Sequence, residues 1–416
     1  MSWWNTHSLP MIVDSAVILA GGFGTRLQSV VNDLPKPMAT VANRPFLEYV
    51  LDNLLIFNIK KVVLSVGYLA EAIISHFGNS YKGMDISYSV EDTPLGTGGA
   101  IKYSLQKISS NYCFVLNGDS FFDIDFNRLE KTFFDNNADI ILSLRQIENA
   151  DRYGCVEIDN NNIITSFVEK GAKSGAGLIN GGIYLLKKSI LENFPEKFSF
   201  EKDFLEKTNK KIYTEIFTGN FIDIGVPKDY LSIASAGLKT HHYPYNSLFL
   251  DRDGVINVRI IGGYVTKTSE FEFIDKAKEA IGILSCYFKH IFVVTNQQGI
   301  GKGLMTATDA DDIHNYMISS IKKNGGKIDK VYICPALAAE NHIDRKPNPG
   351  MAVKAAKDFP DVDFNNSFMA GDSQSDIDFG KNAGMKTISI GSEMLGANHN
   401  FSSLHDFSQF IINNSL

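Results

Sequence analysis

The sequence predicts an α/β chain of two doubly wound domains, the first built on a mixed, Rossmann-like sheet and the second without a cap domain. Three observations predict this. The length of 416 residues exceeds what one hydrophobic core usually serves. Short apolar runs alternate with helical or turn-rich stretches, and this pattern starts again after a polar, proline-bearing segment at 241–246. We place the boundary near residue 242, with predicted domains at 1–240 and 246–416.

The first domain begins with an expected buried strand at 15–20, a short apolar run that ends at glycines. A helix is expected over 46–57, because apolar residues recur there at helical spacing. Three later apolar runs, at 61–66, 113–117 and 140–144, are expected strands. Ligands of such sheets bind at the carboxyl ends of the strands, so polar residues at those ends are candidate site residues.

The second domain repeats this alternation with five short apolar runs. They are the predicted strands at 247–250, 291–294, 331–333, 367–370 and 386–390. Motifs rich in aspartate, glycine and lysine follow several of them, and these motifs differ from those of the first domain. The two halves are therefore expected to be different α/β units rather than copies.

Composition restricts the partners and the compartment. Apolar residues make up 44% and charged residues 21% of the chain, and the net charge of −7 gives no reason to expect nucleic acid or an anionic membrane as a partner. The four cysteines are far apart and form no CxxC pair, which is typical of a reducing compartment. The start lacks a basic region and no window holds 18 uncharged apolar residues, so we expect a cytoplasmic protein.

A glycine-rich loop with the sequence LAGGFGTRL follows the first predicted strand. Gly21, Gly22 and Gly24 let the backbone approach a polyphosphate and point several amide groups at it. The loop lacks both the third glycine of a dinucleotide fingerprint and the Gly-Lys-Ser/Thr ending of a P-loop. Arg26 and, ten residues later, Lys36 add cations that a plain tight turn would not need.

These residues resemble the sugar-phosphate nucleotidyltransferases, over about residues 14–235. The resemblance implies a transfer in which a sugar 1-phosphate oxygen attacks the α-phosphorus of a nucleoside triphosphate, with Mg²⁺ present and Arg26 and Lys36 neutralising charge. Taken singly, Asp119 and Asp223 are more often caps or turn residues; in this order they are the implied magnesium ligands. The other implied contacts are Gly21, Gly22, Gly24, Thr25, Glu91, Gly96 and Thr97 for the nucleotide, and Gly154, Glu169, Lys170 and Asn180 for the sugar phosphate.

The second domain opens with Asp251 and Asp253, which follow a predicted strand in the motif DRDG. One carboxylate as nucleophile beside another as acid/base, screened by Mg²⁺, can pass a phosphoryl group through an aspartyl-phosphate. A DxD pair is common by chance, so later motifs carry the argument. They supply possible phosphate donors and cations at Thr295, Asn296, Arg345 and Lys346, a metal carboxylate at Asp372 and a supporting one at Asp376.

In this order the four motifs resemble the haloacid dehalogenase-like (HAD-like) phosphatases, over about residues 246–393. The resemblance implies Mg²⁺ held by Asp251, Asp253 and Asp372. The intervals from Asp253 to Thr295 and from there to Lys346 are too short to hold a separate cap as well as the core elements. We therefore expect a capless enzyme whose loops shape the pocket.

Within this superfamily the motifs look most like the heptose-1,7-bisphosphate 7-phosphatases and histidinol-phosphatase. That group usually carries a zinc loop with cysteine and histidine ligands. Here Cys334 is present, but Ala336 replaces the histidine, and His342 and Asp344 stand where cysteines are expected. A four-ligand structural zinc site needs thiolate or imidazole at its corners, so we expect no zinc and a buried thiol at Cys334.

The first domain looks most like the D-glycero-D-manno-heptose 1-phosphate guanylyltransferases. Together the two resemblances imply GDP-heptose formation for surface glycans such as lipopolysaccharide, with GTP and heptose phosphates as ligands and Mg²⁺ at both sites. Three alternatives stay open: a mannose- or glucose-1-phosphate nucleotidyltransferase with an unrelated phosphatase, a non-enzymatic regulator, and a nucleic-acid end-processing enzyme. The missing P-loop and the acidic charge disfavour the last of these, and a homo-oligomer also stays open.

Overall fold

The computed structural model describes residues 11–22, 34–148, 150, 155–168, 175–235, 238, 243–391 and 395–414. The chain divides into two compact units, whose division falls between residues 242 and 243. Each unit is described by itself. None of the helices in these segments has the length and apolar character that crossing a membrane requires.

The N-terminal unit is built on strands and a smaller number of helices. Its strands are β1 (Ser15–Leu19), β2 (Thr40–Val41), β3 (Arg44–Pro45), β4 (Lys61–Val66), β5 (Ser80–Tyr81), β6 (Met84–Val90), β7 (Tyr112–Asn117), β8 (Ser120–Phe122), β9 (Ile140–Ile147), β10 (Cys155–Ile158), β11 (Ile164–Val168), β12 (Gly177–Lys187), β13 (Tyr213–Phe217) and β14 (Phe221–Asp223). Its α-helices are α1 (Phe46–Ile56), α2 (Ala70–Phe77), α3 (Gly96–Leu105), α4 (Phe126–Asp135) and α5 (Pro227–Ile233). Short 3₁₀ turns lie at Lys36–Met38 and Lys188–Leu191, and a π-helical turn at Phe200–Leu205.

The main sheet of this unit is mixed, as the sequence predicts. Its centre is parallel, in the order β7-β1-β4-β6, and β12 joins β7 in the antiparallel direction. Strand β12 also pairs with β9 and β10, which widens the sheet on that side. Strand β1 lies between β4 and β7, and four consecutive residues of it are buried, so side chains on both of its faces are covered, which explains its continuous apolar run.

The glycines of α3 set its distance from the segment that contains the π-helical turn. A Cβ at Gly98 would lie 2.2 Å from the ring of Phe198, and one at Gly99 would lie 2.1 Å from the carbonyl oxygen of Glu196. Any larger residue would therefore push the two segments apart. This close packing brings residues near 200 to the edge of the sheet where the nucleotide site is expected.

The C-terminal unit is a parallel sheet with helices between its strands. Its strands are β15 (Tyr245–Leu250), β16 (Phe288–Asn296), β17 (Lys330–Cys334), β18 (Ser367–Gly371), β19 (Lys386–Ile390) and β20 (His399–Phe401). Its helices are α6 (Ala277–Tyr287), α7 (Gln298–Gly301), α8 (Ala307–Lys323), α9 (Gly350–Asp358), α10 (Gln374–Asn382) and α11 (Leu404–Asn414).

The strand order in this unit is β17-β16-β15-β18-β19-β20, with every pairing parallel. The chain order therefore reverses between β15 and β18, and such a reversal opens a crevice at the carboxyl ends of the two strands. Asp251 follows β15 directly and Asp372 follows β18 directly. The topology thus brings the two predicted motifs to one crevice.

Candidate active sites

In the N-terminal unit, two predicted metal carboxylates meet at one ammonium group. The side chain of Lys36 places Nζ 2.5 Å from Oδ2 of Asp119 and 3.7 Å from Oδ1 of Asp223. Strand β14 pairs with β8 so that Asp223 lies opposite Ser120, the residue after Asp119. A short antiparallel ladder thus joins two aspartates that are far apart in sequence.

Gly225 leaves the space that this arrangement needs. Its backbone N–H donates to Oδ1 of Asp223 at 2.7 Å. A Cβ at Gly225 would lie only 2.3 Å from Nζ of Lys36 and 2.8 Å from Oδ1 of Asp223. Two carboxylates that converge on one cation are the oxygen donors that Mg²⁺ prefers, so Asp119 and Asp223 fit that ion.

A pocket of about 450 Å³ lies beside this pair, at the carboxyl ends of β1, β4, β6 and β7. Its wall contains most of the described residues that the sequence predicts for the nucleotide and its metal. Those that line it are Gly21, Gly22, Lys36, Glu91, Gly96, Thr97 and Asp119. The structure therefore brings these predicted residues together at one edge of the sheet.

Glu91 holds the loop that precedes α3. Its Oε1 accepts a hydrogen bond from the hydroxyl of Ser65 at 3.1 Å, and its Oε2 accepts one from the backbone N–H of Leu95 at 3.0 Å. The carboxylate thus joins the end of β4 to the start of the helix while it faces the pocket. A contact between Glu91 and a nucleobase stays a prediction.

Thr97, in the same pocket wall, forms hydrogen bonds to other residues of the protein. Its hydroxyl donates to Oε2 of Glu201 at 2.7 Å and accepts from the backbone N–H of Phe200 at 2.9 Å. Glu201 also lines the pocket, and the sequence analysis did not name it. A single glutamate in an irregular segment gave no motif by which to find it.

Asn180 does not line this pocket, and its side chain forms hydrogen bonds to residues of its own strand, β12. Its amide nitrogen donates to the hydroxyl of Tyr184 at 2.7 Å, and its Oδ1 accepts from the N–H of Gly182 at 3.0 Å. The register between β12 and β9 shifts at this point. Its predicted contact with a sugar phosphate stays a prediction. Six further predicted residues lie outside the described residues: Gly24, Thr25, Arg26, Gly154, Glu169 and Lys170.

In the C-terminal unit, Lys346 lies buried between two carboxylates. Its Nζ donates to Oδ1 of Asp251 and to the carbonyl oxygen of Val294, at 2.7 and 2.8 Å, and lies 2.5 Å from Oδ1 of Asp376. Burial acts to lower the pKa of Lys346, but the two carboxylates outweigh it and the pKa lies above its usual value. The lysine is therefore charged, and it places a fixed cation beside the predicted nucleophile.

Three carboxylates converge in the crevice. Asp251, Asp372 and Asp376 each offer an oxygen, and these oxygens all lie within 4.8 Å of one another. Burial raises the pKa of Asp251 to about 7 and that of Asp372 to about 6. Such crowded, desolvated oxygen donors fit a hard divalent cation such as Mg²⁺. Asp376, predicted as a supporting residue, belongs to this group by geometry.

Gly254 lets Asp372 approach the loop that carries the predicted nucleophile. A Cβ at Gly254 would lie 1.8 Å from Oδ2 of Asp372, and the glycine has a φ of +92°, which a side chain rarely tolerates. The glycine of the DRDG motif is thus required both by its backbone conformation and by the packing of the carboxylate.

The side chain of Asp253 lies outside the group of three carboxylates and has its own partners. Its oxygens accept hydrogen bonds from Arg252 at 3.0 Å, from Asn257 at 2.9 Å and from Gln297 at 2.8 Å. Burial acts to raise the pKa of Asp253, but Arg252 and these hydrogen bonds outweigh it, and the pKa lies below its usual value. Its predicted role as acid/base and its predicted contact with the metal stay predictions.

Arg252 lies behind Asp253 and is fully buried. Its Nη1 lies 3.1 Å from Nε2 of His314, on α8. Burial and the nearby guanidinium lower the pKa of His314 to about 4, so the imidazole is neutral and accepts this hydrogen bond. The sequence analysis named neither Arg252 nor Gln297 as part of the site.

The residues predicted to contact phosphate all have hydrogen-bond partners within the protein. The hydroxyl of Thr295 accepts from Gln297 at 2.9 Å. Asn296 is joined to Lys346 by two reciprocal hydrogen bonds with its backbone, at 3.2 and 3.1 Å. Arg345 donates through Nη1 to the carbonyl oxygen of Ala336 at 2.9 Å. Asn296 therefore fixes the end of β16 against the segment that carries the lysine.

The residues at the positions of a family zinc loop have other contacts. Asp344 forms an ion pair with Lys354 at 2.5 Å, and its backbone N–H donates to Nδ1 of His342 at 3.1 Å. Cys334 is buried, and burial raises the pKa of its thiol. The absence of structural zinc stays a prediction.

Similarity to known proteins defines the class of each unit. The nucleotidyl transferase family model matches residues 15–240, and the chain belongs to this family. A HAD-hydrolase-like model matches residues 343–399, the part of the C-terminal unit that contains Lys346, Asp372 and Asp376. The chain thus joins a nucleotidyl transferase domain to a HAD-like hydrolase domain, as the sequence predicts.

The individual relatives that match the N-terminal unit have more specific names than the family model. A D-glycero-alpha-D-manno-heptose 1-phosphate guanylyltransferase from Campylobacter jejuni is 49% identical over 52% of this chain and 96% of its own length. A protein of the same name from Aneurinibacillus thermoaerophilus is 46% identical over 52% of this chain and 94% of its own length. The crystal structure of HddC from Yersinia pseudotuberculosis covers 53% of this chain and 98% of its own, with 38% identity and a TM-score of 0.50.

Proposed function

We propose that the two units catalyse successive steps in the formation of GDP-D-glycero-D-manno-heptose. The C-terminal unit hydrolyses the 7-phosphate of heptose 1,7-bisphosphate. The N-terminal unit then transfers GMP from GTP to the resulting heptose 1-phosphate and releases pyrophosphate. The observation that carries the proposal is the 49% identity to a heptose 1-phosphate guanylyltransferase over 96% of that relative.

The geometry of the N-terminal pocket supports a transfer that needs no protein nucleophile. An oxygen of the sugar 1-phosphate attacks the α-phosphorus, and the bond to pyrophosphate breaks. Bound Mg²⁺, for which Asp119 and Asp223 are the ligands that fit, would neutralise phosphate charge. Lys36, within 4 Å of both carboxylates, is close enough to move onto a phosphate oxygen and stabilise the charge that develops there.

The geometry of the C-terminal crevice supports a two-step phosphoryl transfer through the protein. An oxygen of Asp251 attacks the phosphorus, an aspartyl-phosphate forms, and the bond to the sugar oxygen breaks. Asp253 is the proposed proton donor to that oxygen. Because its pKa lies below the usual value in the free protein, the mechanism requires that the negative charge of the bound phosphate raises this pKa so that Asp253 is protonated before the step. Water then attacks the phosphorus of the aspartyl-phosphate and gives a proton to Asp253. The bond between the phosphorus and the oxygen of Asp251 breaks, so that inorganic phosphate leaves and the carboxylate of Asp251 is restored. In this proposal Lys346 and the hydroxyl of Thr295 hold the phosphoryl oxygens, and Mg²⁺ bound at the three carboxylates would supply further positive charge.

The fusion supports the choice of substrate for this second site. A phosphatase that removes the 7-phosphate of a heptose 1,7-bisphosphate produces the 1-phosphate that a heptose 1-phosphate guanylyltransferase uses. The resemblance of DRDG and RKPNPGM to the motifs of heptose-bisphosphate phosphatases points to the same substrate.

One incubation tests the proposal as a whole. The full chain is mixed with heptose 1,7-bisphosphate and Mg²⁺, and GTP, ATP, UTP or CTP is added to separate samples. Phosphate should appear in every sample, whereas pyrophosphate and a sugar nucleotide should appear chiefly with GTP. Faster turnover of mannose or glucose 1-phosphate than of heptose 1-phosphate, or an intact bisphosphate, would contradict the proposal.

A further inference from the structure

One carboxylate of the phosphatase crevice is contacted by a cation other than Lys346. Arg259 follows the DRDG loop, and its Nη2 donates to Oδ1 of Asp372 at 2.7 Å and to the backbone oxygen of Asp253 at 3.3 Å. Its side chain is 48% exposed, whereas that of Asp372 is 16% exposed. The guanidinium therefore reaches into the crevice from its rim.

Arg259 differs from the buried cations of the same unit. Lys346 and Arg252 are almost fully buried and each has several partners. Arg259 stands on the surface in front of a turn, where Gly262 has a φ of +73° and Ile261 is 96% exposed. Little packing would oppose movement of this arginine away from the crevice.

Arg259 contacts a carboxylate that a metal ion would need. A Cβ at Gly254 would lie 1.8 Å from Oδ2 of Asp372 but 3.3 Å from Oδ1, so Gly254 crowds Oδ2 more than Oδ1, the oxygen to which Arg259 donates. Asp372 is one of the three carboxylates that fit Mg²⁺. Two cations that share one oxygen repel each other strongly in a partly buried site. Arg259 and the metal are therefore expected to compete for it.

We propose that Arg259 is an exchangeable counter-ion of the phosphatase metal site. It occupies Asp372 when the metal is absent, and it leaves the carboxylate when the metal binds, which releases the segment 258–264 from the crevice. This inference does not depend on which phosphate ester the unit hydrolyses. Arg259 thus competes with the metal for Asp372, whereas Lys346 stays with Asp251 and Asp376.

Metal binding to the full chain tests the exchange. Mn²⁺ is titrated calorimetrically into metal-free wild type, Arg259→Gln and Lys302→Gln, and the Asp372→Asn variant identifies which binding event belongs to the phosphatase crevice. Removal of one exposed competitor should lower the Kd for Mn²⁺ in Arg259→Gln about three- to tenfold. Lys302→Gln is the matched control, because Lys302 is an exposed cation whose Nζ donates to Tyr264 of the same segment at 3.1 Å. Its Kd should equal that of the wild type.

Hydrogen–deuterium exchange of the peptide that covers 258–264 supplies a second readout. Mn²⁺ should raise exchange in this peptide of the wild type, whereas in Arg259→Gln exchange should be high with or without the ion. An unchanged or higher Kd in Arg259→Gln would overturn the proposal, since it would show that Arg259 supports metal binding or is indifferent to it. Wild-type exchange that falls or stays constant on addition of Mn²⁺ would overturn it as well.

Discussion

The two sites each neutralise clustered carboxylates with one lysine, but they bury that lysine to different depths. In the N-terminal pocket the side chain of Lys36 is 13% exposed, and its partners Asp119 and Asp223 are 42% and 28% exposed. In the C-terminal crevice the side chain of Lys346 is 2% exposed, and its partners Asp251 and Asp376 are 9% and 1% exposed. The first cluster opens to solvent and the second is almost closed to it.

The difference in solvent exposure between the two clusters is explained by the source of the nucleophile in the two proposed reactions. In nucleotidyl transfer both reactants come from solution, so the protein has to position two phosphorylated ligands in an open pocket. In the phosphatase reaction Asp251 itself attacks, and burial limits its access to water and holds it in one orientation. A fixed carboxylate in a buried crevice needs an equally fixed cation, and Lys346 supplies it.

The largest effect expected in the N-terminal pocket is that of Lys36→Met. This change removes the cation beside the reacting phosphates and keeps much of the aliphatic length, so guanylyl transfer should fall by about 10²- to 10³-fold. Initial rates of pyrophosphate release from GTP and heptose 1-phosphate measure it. Lys107→Met, at an exposed position on the same unit, is the matched control. A loss of less than about threefold would show that Lys36 does not act on the reaction.

Gly254→Ala should be the most damaging small change in the C-terminal crevice. Its Cβ would lie 1.8 Å from Oδ2 of Asp372 at a φ of +92°, so the carboxylate or the nucleophile loop must move. A displacement of about 1 Å should lower phosphate release by about 100-fold. Guanylyl transfer in the same preparation is the internal control. Full phosphatase activity would mean that the placement of Asp372 relative to the loop is unimportant.

Gly225→Ala, the corresponding change in the N-terminal pocket, should have a smaller effect. Its Cβ would lie 2.3 Å from Nζ of Lys36, but that atom ends a flexible side chain in an open pocket and can shift. We expect guanylyl transfer to fall about tenfold, with phosphate release unchanged. Comparison of the two alanine variants tests the contrast between the sites. An equal or larger loss at Gly225 than at Gly254 would contradict it.

The smallest effect is expected for Glu91→Gln, which concerns the choice of base. Guanine presents N1–H and an amino group on its pairing edge, and a carboxylate is an acceptor for both. Loss of one such hydrogen bond should lower the rate ratio of GTP to UTP about fivefold. The ratio separates recognition from the structural bonds of Glu91 to Ser65 and Leu95, which affect both nucleotides alike. An unchanged ratio leaves Glu91 a purely structural residue.

The sequence predicted the parts of each site that lie in motifs at strand ends. Asp251 and Asp372 could be placed because short apolar runs precede them and parallel strands end at one edge. Glu201 and Gln297 could not be placed, because their contacts depend on tertiary packing. Glu201 meets a threonine 104 residues away through a π-helical turn for which the sequence gives no signal.

The sequence predicted a metal contact for Asp253 and only a supporting role for Asp376, whereas the side chain that lies with those of Asp251 and Asp372 is that of Asp376. Asp253 and Asp376 both stand in motifs, so both could be named as site residues. Which one joins the metal group depends on side-chain direction, since Asp376 reaches Lys346 whereas Asp253 turns to Arg252. Spacing within a motif does not determine such directions.

Each of the two sites should carry out its reaction without the other, and the Asp251→Asn variant tests this division of work. The change removes the nucleophile at nearly constant size and leaves Asp376 to hold Lys346. With the bisphosphate and GTP, the variant should release phosphate at least about 1,000-fold more slowly and form essentially no GDP-heptose. With heptose 1-phosphate and GTP, it should form GDP-heptose at the wild-type rate. Loss of nucleotidyl transfer to the monophosphate in a folded Asp251→Asn protein would contradict the claim.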